Sequence, residues 1–341
     1  MKQGRLRERL LRIIEEFSGK RLLVVGDMIA DEFVYGKIER ISREAPVLIL
    51  KYEESVILPG GGANAVSNIA TLGGVAIPIG VVGEDEPGRR LHKALNKKGV
   101  ELSQLIVHPH YRTPTKSRIL AGGLHSTKQQ VLRIDREIPF DRWEELSTPI
   151  IKSFDALTDH LDAIILSDYG YGFLSLPVFQ HILGEARRRG INITLDSHYN
   201  LLSFPGVTAA TPNEPEVEAA LQVTVGKDEK VLVRAGRALL QRLACQAVLV
   251  TRGSDGMNLF EKGKEPVHIG IYGTDEIADV TGAGDTVISV FTLALAAGAT
   301  YYEAARLANY AGGIVVMKRA TATVSQQELF QAVEEDNAEQ G

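Results

Sequence analysis

The sequence predicts a doubly wound α/β fold, in which a mostly parallel sheet carries helices on both faces and a small β-sheet lid. Three observations predict it. Short, nearly continuous apolar runs recur at 21–27, 76–83, 163–168, 191–196, 206–212 and 246–253, the pattern of strands buried on both faces. Helical periodicity occupies much of the chain between them, at 86–98, 174–189, 214–221 and 228–243, as crossovers between parallel strands require. Two other stretches, 33–58 and 115–135, alternate in β fashion with turn signals and no helix of their own, so they leave the main sheet and pair into the lid. One domain over 1–341 with both lid segments inserted is expected.

In chain order, Leu6, Leu10, Ile13, Ile14 and Phe17 recur at helical spacing among charges, which makes a surface helix and not the uninterrupted apolar core of a signal peptide. The first strand ends in Gly26 and Asp27, and the first lid segment leads into "LPGGGANAVSNIATLGG" (58–74), a glycine-rich helix start. The second lid segment is hairpin-like, its arms joined through "AGGLHSTK" (121–128). Asp27, Gly83, Asp168, Asp196, Asn213 and Gly253 terminate strands. Polar groups therefore gather at the carboxyl edge of the sheet, where open α/β folds bind ligands. Late in the chain "ADVTGAGDTVISV" (278–290) opens an apolar helix, and the tail "EEDNAEQG" frays.

Composition narrows the function. A chain of 341 residues with 44% hydrophobic and 24% charged residues can bury a substantial core without disulfide or metal staples. The formal charge of −5, with Lys and Arg scattered, leaves no footprint for nucleic acid or an anionic membrane. A small-molecule substrate is the expectation. Cys245 is the only cysteine and lies in an apolar stretch, so it reads as a buried structural residue. No run reaches the roughly 18 apolar residues that span a bilayer, and a cytoplasmic protein is expected. The histidines do not cluster at zinc-ligand spacing, "HPH" at 108–110 included, so no transition-metal site is expected.

Three stretches carry chemistry. In "DVTGAGDT" (279–286), Gly282, Ala283 and Gly284 let an anion approach the unpaired amides of a helix N-terminus. Asp285 then lies beside the bound anion, ionised at neutral pH with an ordinary carboxylate pKa. An anion hole next to a carboxylate suits phosphoryl transfer to an alcohol, the carboxylate taking the hydroxyl proton; the same letters also describe a helix cap. In 58–74, Gly61 and Gly62 permit close backbone approach and Asn64 offers donor and acceptor to sugar hydroxyls. These glycines are consecutive, without G-x-G-x-x-G order, and no Walker sequence is present, so neither a dinucleotide fingerprint nor a P-loop applies. In "TPNEPEVEAAL" (211–221), Asn213 and Glu216 are either hard ligands near a hydrated magnesium ion or a helix-capping pair.

The order of Gly26-Asp27, "GGGAN", "NxxE" and "DVTGAGD" resembles the ribokinase-like (PfkB) sugar kinases over nearly the whole length. Within that family, "RISREAPVLIL", "PGGGANAVSNIATLG", "TKSRIL", "VLRID" and "DVTGAGDTVISVFTLALAAG" are most similar to the kinases of D-glycero-β-D-manno-heptose 7-phosphate, which act at the anomeric hydroxyl. The resemblance implies ATP as donor and Mg2+ as required metal. It implies Asp285 as base, the amides of Gly282, Ala283 and Gly284 as anion hole, and Asn213 and Glu216 near magnesium and phosphates, Glu216 through water. It implies that Asp27, Gly61, Gly62 and Asn64 hold sugar hydroxyls, with Asp168 also on the substrate side.

Further along, the resemblance implies that Thr251, Gly253 and Gly256 approach the nucleotide and that Asn309 lines the adenine pocket. Lys116 and Arg118, with Arg40, Arg43 and Arg133, are the cations available to grip a substrate phosphate. Where the heptose kinases usually carry Pro-Lys after the aspartate matching Asp196, this chain has Ser197-His198. Many of those relatives are fused to a nucleotidyltransferase, for which 341 residues leave no room, so kinase chemistry alone is expected. By analogy the lid pairs across a two-fold axis into a homodimer. Kinases of another sugar, a nucleoside or a fructose phosphate, and a catalytically silent nucleotide- or sugar-binding protein, are the alternatives. An NAD-linked oxidoreductase is disfavoured by the missing fingerprint.

Overall fold

A computed structural model describes residues 3–122, 128–273 and 279–336. In chain order the first elements are α1 (Gln3–Glu15), β1 (Arg21–Gly26), β2 (Met28–Ile41), β3 (Leu48–Gly61), α2 (Gly62–Thr71), β4 (Val75–Gly83) and α3 (Glu86–Asn96). Then come β5 (Leu105–His108), β6 (Thr115–Gly122), β7 (Gln129–Arg136), α4 (Trp143–Asp155), β8 (Ala163–Asp168), α5 (Leu176–Arg189), β9 (Asn192–Ser197) and β10 (Ala209–Ala210). The chain continues with α6 (Glu214–Leu221), α7 (Glu229–Arg242), β11 (Ala247–Thr251), β12 (Met257–Glu261), β13 (Val267–Ile269), α8 (Ala283–Ala296), α9 (Tyr301–Val316) and α10 (Gln326–Glu335).

The main sheet has the order β13-β12-β11-β10-β9-β8-β1-β4-β5. Its strands pair in parallel except at one edge, where β12 runs antiparallel to both β11 and β13. Side chains alternate across the sheet as the pleat demands. Leu22 and Val24 join an apolar layer with α1, α2, α8, α9 and α10, while Leu23 and Val25 join the opposite layer with α4, α5 and α7. Both faces are therefore covered, which is why the strands read as continuous apolar runs. The stripe Leu6, Leu10, Ile13, Ile14 and Phe17 of the first helical segment is buried. Cys245 is buried too, and burial pushes its thiol up to about 11.

The lid is a second sheet, ordered β3-β2-β6-β7. Its boundaries differ from the sequence expectation. Only Asp27 separates β1 from β2, and β3 runs through Gly61 directly into α2, so the lid begins and ends at the polar edge of the core and not at 33 and 58. The register explains the extent: β2 and β3 pair from Met28↔Gly61 to Ile41↔Leu48. The second segment forms β6 and β7, and most of its predicted turn, 123–127, lies outside the described residues. The predicted strand 206–212 contracts to Ala209–Ala210, squeezed between the left-handed Gly206 and Pro212. No helix among the described residues is long and apolar enough to cross a membrane.

Candidate active site

Gly282 caps α8 in the left-handed region, with φ 77°. A Cβ there would lie 2.5 Å from Asn64 Nδ2 and 2.9 Å from Thr321 Cγ2, so only glycine fits. The helix then begins at Ala283, which puts Gly284 second and Asp285 third in the first turn. One expected anion-hole amide is already engaged, because Ala283 N–H donates to Val280 O at 3.2 Å to close the turn. Gly284 N–H finds no acceptor among the described residues, and a Cβ on Gly284 would meet no atom within 4 Å. Gly284 thus leaves an unpaired amide at the positive end of a helix, on a residue that borders open space.

Asp285 is 4% exposed, and both its oxygens are held. Asn64 Nδ2 donates to Oδ2 at 2.9 Å and the Tyr169 hydroxyl donates to Oδ1 at 2.9 Å. The ordinary pKa expected from sequence is corrected. Burial raises the Asp285 carboxyl to about 6, against the opposing pull of the Asn64 and Tyr169 hydrogen bonds. The group is still mainly ionised at neutral pH. Asn64, read from sequence as a sugar ligand, has its amide committed within the protein: it also donates to Gly282 O at 3.3 Å and accepts from Asn68 Nδ2 at 3.2 Å.

Asp27 sits where β1 hands over to the lid. Its Oδ2 accepts from Tyr169 N–H at 2.8 Å, while its Oδ1 is buried without a partner among the described residues. Burial, aided by the neighbouring Asp168 charge, raises its carboxyl to about 7. Gly62 N–H donates to Asp27 O at 3.0 Å, and Gly61 (φ 56°) packs against Ile29 and Tyr169. Asp168, ending β8, accepts from the Ser197 hydroxyl at 2.6 Å and from Gly170 N–H at 3.2 Å. Tyr169 therefore touches both Asp27 and Asp285. Sequence reading missed it, since a tyrosine following a strand-ending aspartate has no diagnostic spacing; its place at the carboxyl edge was the only signal.

Asn213 and Glu216 satisfy the capping reading in full. Asn213 Oδ1 accepts from Glu216 N–H at 2.9 Å, and Glu216 Oε2 accepts from Asn213 N–H at 2.8 Å. The Glu216 side chain is nonetheless buried beside Asp196 at the same sheet edge, and His198 Nδ1 contacts its Oε1. Asp196 is 5% exposed, its carboxylate accepts no hydrogen bond among the described residues, and burial raises its pKa. Two buried hard oxygen donors, one of them unpartnered, fit a divalent cation.

Against the α8 N-terminus lies a mostly apolar cleft lined by Thr251, Gly253, Gly256, Ala283, Gly284 and Asn309. A Cβ on Gly253 would project into open space, whereas on Gly256 it would strike Ile269 O at 2.2 Å. Asn309 Nδ2 is tied to Gly270 O at 2.8 Å. Among the lid cations, Arg118 is buried and paired with Asp31 at 2.6 Å. Lys116 reaches Asp135 and Glu137 at 3.3 and 3.2 Å, and Arg133 holds Asp135 at 2.7 Å. Arg40 and Arg43 are exposed near the far end of the lid.

A family model described as pfkB family carbohydrate kinase matches residues 20–164 and 176–328. The chain belongs to that family. It is similar to bifunctional protein HldE of Vibrio parahaemolyticus, at 38% identity over 94% of this chain and 65% of the relative. The same protein of Geobacter sulfurreducens is 38% identical over 90% of this chain and 61% of the relative. The chain thus spans a little under two thirds of the curated relatives it matches. Among solved structures, ribokinase of Arabidopsis thaliana complexed with ribose and ATP superposes with a TM-score of 0.69 at 20% identity, over 93% of this chain and 99% of that one. Phosphofructokinase-2 of Escherichia coli in complex with potassium gives 0.70 at 18% identity, over 93% and 98%. The fold is ribokinase-like, and the chain belongs among the carbohydrate kinases of its family.

Proposed function

We propose that this kinase transfers the γ-phosphoryl group of ATP to a sugar phosphate, with D-glycero-β-D-manno-heptose 7-phosphate, phosphorylated at its anomeric hydroxyl, as the preferred acceptor. One observation carries the transfer: Asp285 lies buried on the first turn of α8, directly after the cleft-lining Ala283 and Gly284, and is joined through Tyr169 to Asp27, whose Oδ1 is unpartnered. The acceptor assignment is supported by the sequence segments that resemble heptose-phosphate kinases.

In this reading Asp27 Oδ1 accepts a hydrogen bond from a sugar hydroxyl, since a buried oxygen without a donor is otherwise costly. Asp285, ionised above about pH 6, orients the reacting hydroxyl and takes its proton at Oδ1 or Oδ2. Gly284 N–H and the α8 N-terminus stabilise charge on the transferred group. Thr251, Gly253 and Gly256 bound the nucleotide, and Asn309 lines its base pocket. Asp196 and Glu216, the latter steadied by Asn213, would hold magnesium, which when bound neutralises phosphate charge. Lys116, whose ammonium sits between Asp135 and Glu137, would exchange those partners for an acceptor phosphate.

ADP release assayed over a panel of acceptors tests the assignment. Heptose 7-phosphate should exceed ribose, nucleosides and fructose 6-phosphate in kcat/KM by at least a hundredfold. Equal turnover of unphosphorylated sugars would sink the sugar-phosphate part.

The lid also supports a homodimer. Ile41, Leu48, Tyr52, Leu132 and Ile134 are exposed apolar side chains on its strands, a concentration that in soluble proteins marks a contact surface. Light scattering of the wild type and of Leu132→Asp should show a dimer and its weakening.

A further inference from the structure

Asp196 in β9, His198 two residues on and Glu216 in the first turn of α6 converge. One nitrogen or oxygen atom from each lies within 4.8 Å of the others. Three features make this more than a chance meeting. Asp196 is nine-tenths buried and without a hydrogen-bond donor among the described residues. Glu216 is fixed by the Asn213 capping pair, including a 2.8 Å bond from Asn213 Nδ2 to Oε1. The His198 ring stands edge-on to Tyr169, with centroids 4.2 Å apart at 87°, and its Nδ1 faces Glu216. Bonds of roughly 2.1 Å to one ion require donor separations of about 3 to 3.4 Å, so an ion would draw these atoms inward from the 4.8 Å within which they lie.

We propose that Asp196, His198 and Glu216 form a mixed nitrogen–oxygen cation site that selects Mn2+ and its borderline first-row neighbours over Mg2+. Mg2+ favours oxygen ligands and gives up its waters reluctantly. An imidazole adds affinity for Mn2+ through Zn2+ that it does not add for Mg2+. The sequence expectation of no transition-metal site rested on histidine spacing alone; here the fold supplies one histidine and two carboxylates from separate segments. The inference deepens the kinase reading, because Glu216 belongs to its metal edge, but its test requires no turnover.

The tag-free full chain is titrated calorimetrically with MnCl2 and with MgCl2, without nucleotide, and bound Mn2+ is examined by pulsed electron paramagnetic resonance for nitrogen coupling. Mn2+ should bind at least tenfold tighter than Mg2+ and show one coupled nitrogen. In His198→Gln the coupling should vanish and the two affinities should converge, while Asp196→Asn should weaken both metals and keep the nitrogen signal. Absence of nitrogen coupling in the wild type, or an unchanged Mn2+/Mg2+ ratio in His198→Gln, overturns the proposal. Because the wild-type spectrum decides the matter alone, misfolding of a variant does not shelter it. Coupling in a chain that does not turn over heptose 7-phosphate would retain this site and sink the proposed acceptor instead.

Discussion

The Tyr169 hydroxyl donates to Asp285 Oδ1 at 2.9 Å, and the same residue's backbone N–H donates to Asp27 Oδ2 at 2.8 Å. One residue thereby sets the position of both carboxylates assigned to the acceptor. Burial and the Asp285 charge keep the phenol protonated far above neutral pH, so it always donates. Tyr169→Phe removes the side-chain bond and leaves the backbone bond to Asp27. A hydrogen bond to a charged group is worth about 1.5–3 kcal/mol. Its loss should raise the Asp285 pKa by on the order of one unit and lower kcat about tenfold or more. The kcat/KM pH profile checks this: its acid limb, near pH 6 in the wild type, should move upward, and an unmoved limb with normal kcat would contradict the role.

Asp285→Asn keeps the shape of the side chain, still able to accept from Asn64 or Tyr169, while removing the base. Turnover should fall by about 10²–10⁴, with ATP binding by calorimetry within a few-fold of the wild type. Stability should not fall. A carboxyl whose pKa is raised by burial costs the folded state once it ionises, so at pH 8 the variant should melt at the same temperature or higher. Near-normal turnover would refute the assigned chemistry.

The same sign governs the ligand-free wild type. Asp285 and Asp27 are raised to about 6 and about 7, above their unfolded values, so the native state binds more protons than the unfolded chain between about pH 4 and 7. Their contribution is present in full below about pH 4 and is lost as pH rises through 6 and 7. The difference in Tm between wild type and the double variant Asp27→Asn/Asp285→Asn should therefore grow in favour of the variant from pH 5 to pH 8. A constant difference across that range would show that neither carboxyl is perturbed.

The main sheet is legible in the sequence because strands covered on both faces must be apolar at every position, as in Leu22 to Val25, and because Asp27, Asp168 and Asp196 mark their carboxyl ends. Asp285 is legible because glycine at 282 is dictated by a left-handed backbone wedged against Asn64 and Thr321. Tyr169 and His198 are not, since their importance comes from strands that meet only in the sheet order β9-β8-β1. The capping and ligand readings of Asn213 and Glu216 could not be separated from sequence because one geometry serves both: a carboxylate that caps a helix at the sheet edge also faces the site.

Two glycines beside the cleft give opposite expectations. Gly253 has φ +55° and a Cβ there would meet no atom within 4 Å. Gly253→Ala should therefore cost about 1–2 kcal/mol of left-handed strain, leave the fold intact and raise the KM for ATP several-fold by filling cleft space. Gly256 has φ +75°, and its Cβ would overlap Ile269 O at 2.2 Å while its carbonyl accepts from Arg252 N–H at 2.9 Å. Gly256→Ala should displace β13 and lower Tm sharply. Thermal melts and ATP titration of both variants separate the two effects; equal Tm values would remove the contrast.

The lid cations divide by burial. Arg118 and Asp31 are 9% and 7% exposed at the side chain and joined at 2.6 Å, with Thr321 Oγ1 donating to the other Asp31 oxygen at 2.9 Å. This pairing links β6 of the lid to β2 and to the segment beside Gly282, so Arg118 has a packing duty whether or not it also meets a substrate phosphate. Arg118→Met leaves a buried carboxylate without its cation, which costs about 3–5 kcal/mol, and Arg118→Met/Asp31→Leu should recover most of that loss. Lys116, with its ammonium between partly exposed Asp135 and Glu137, should behave otherwise. Surface pairs are worth about 0–1 kcal/mol, so Lys116→Met should leave Tm nearly unchanged and raise the KM of a phosphorylated acceptor at least tenfold, with little effect on an unphosphorylated one. Denaturant melts alongside acceptor kinetics distinguish these outcomes. If Lys116→Met alters neither acceptor's KM, the phosphate contact must be sought elsewhere on the lid.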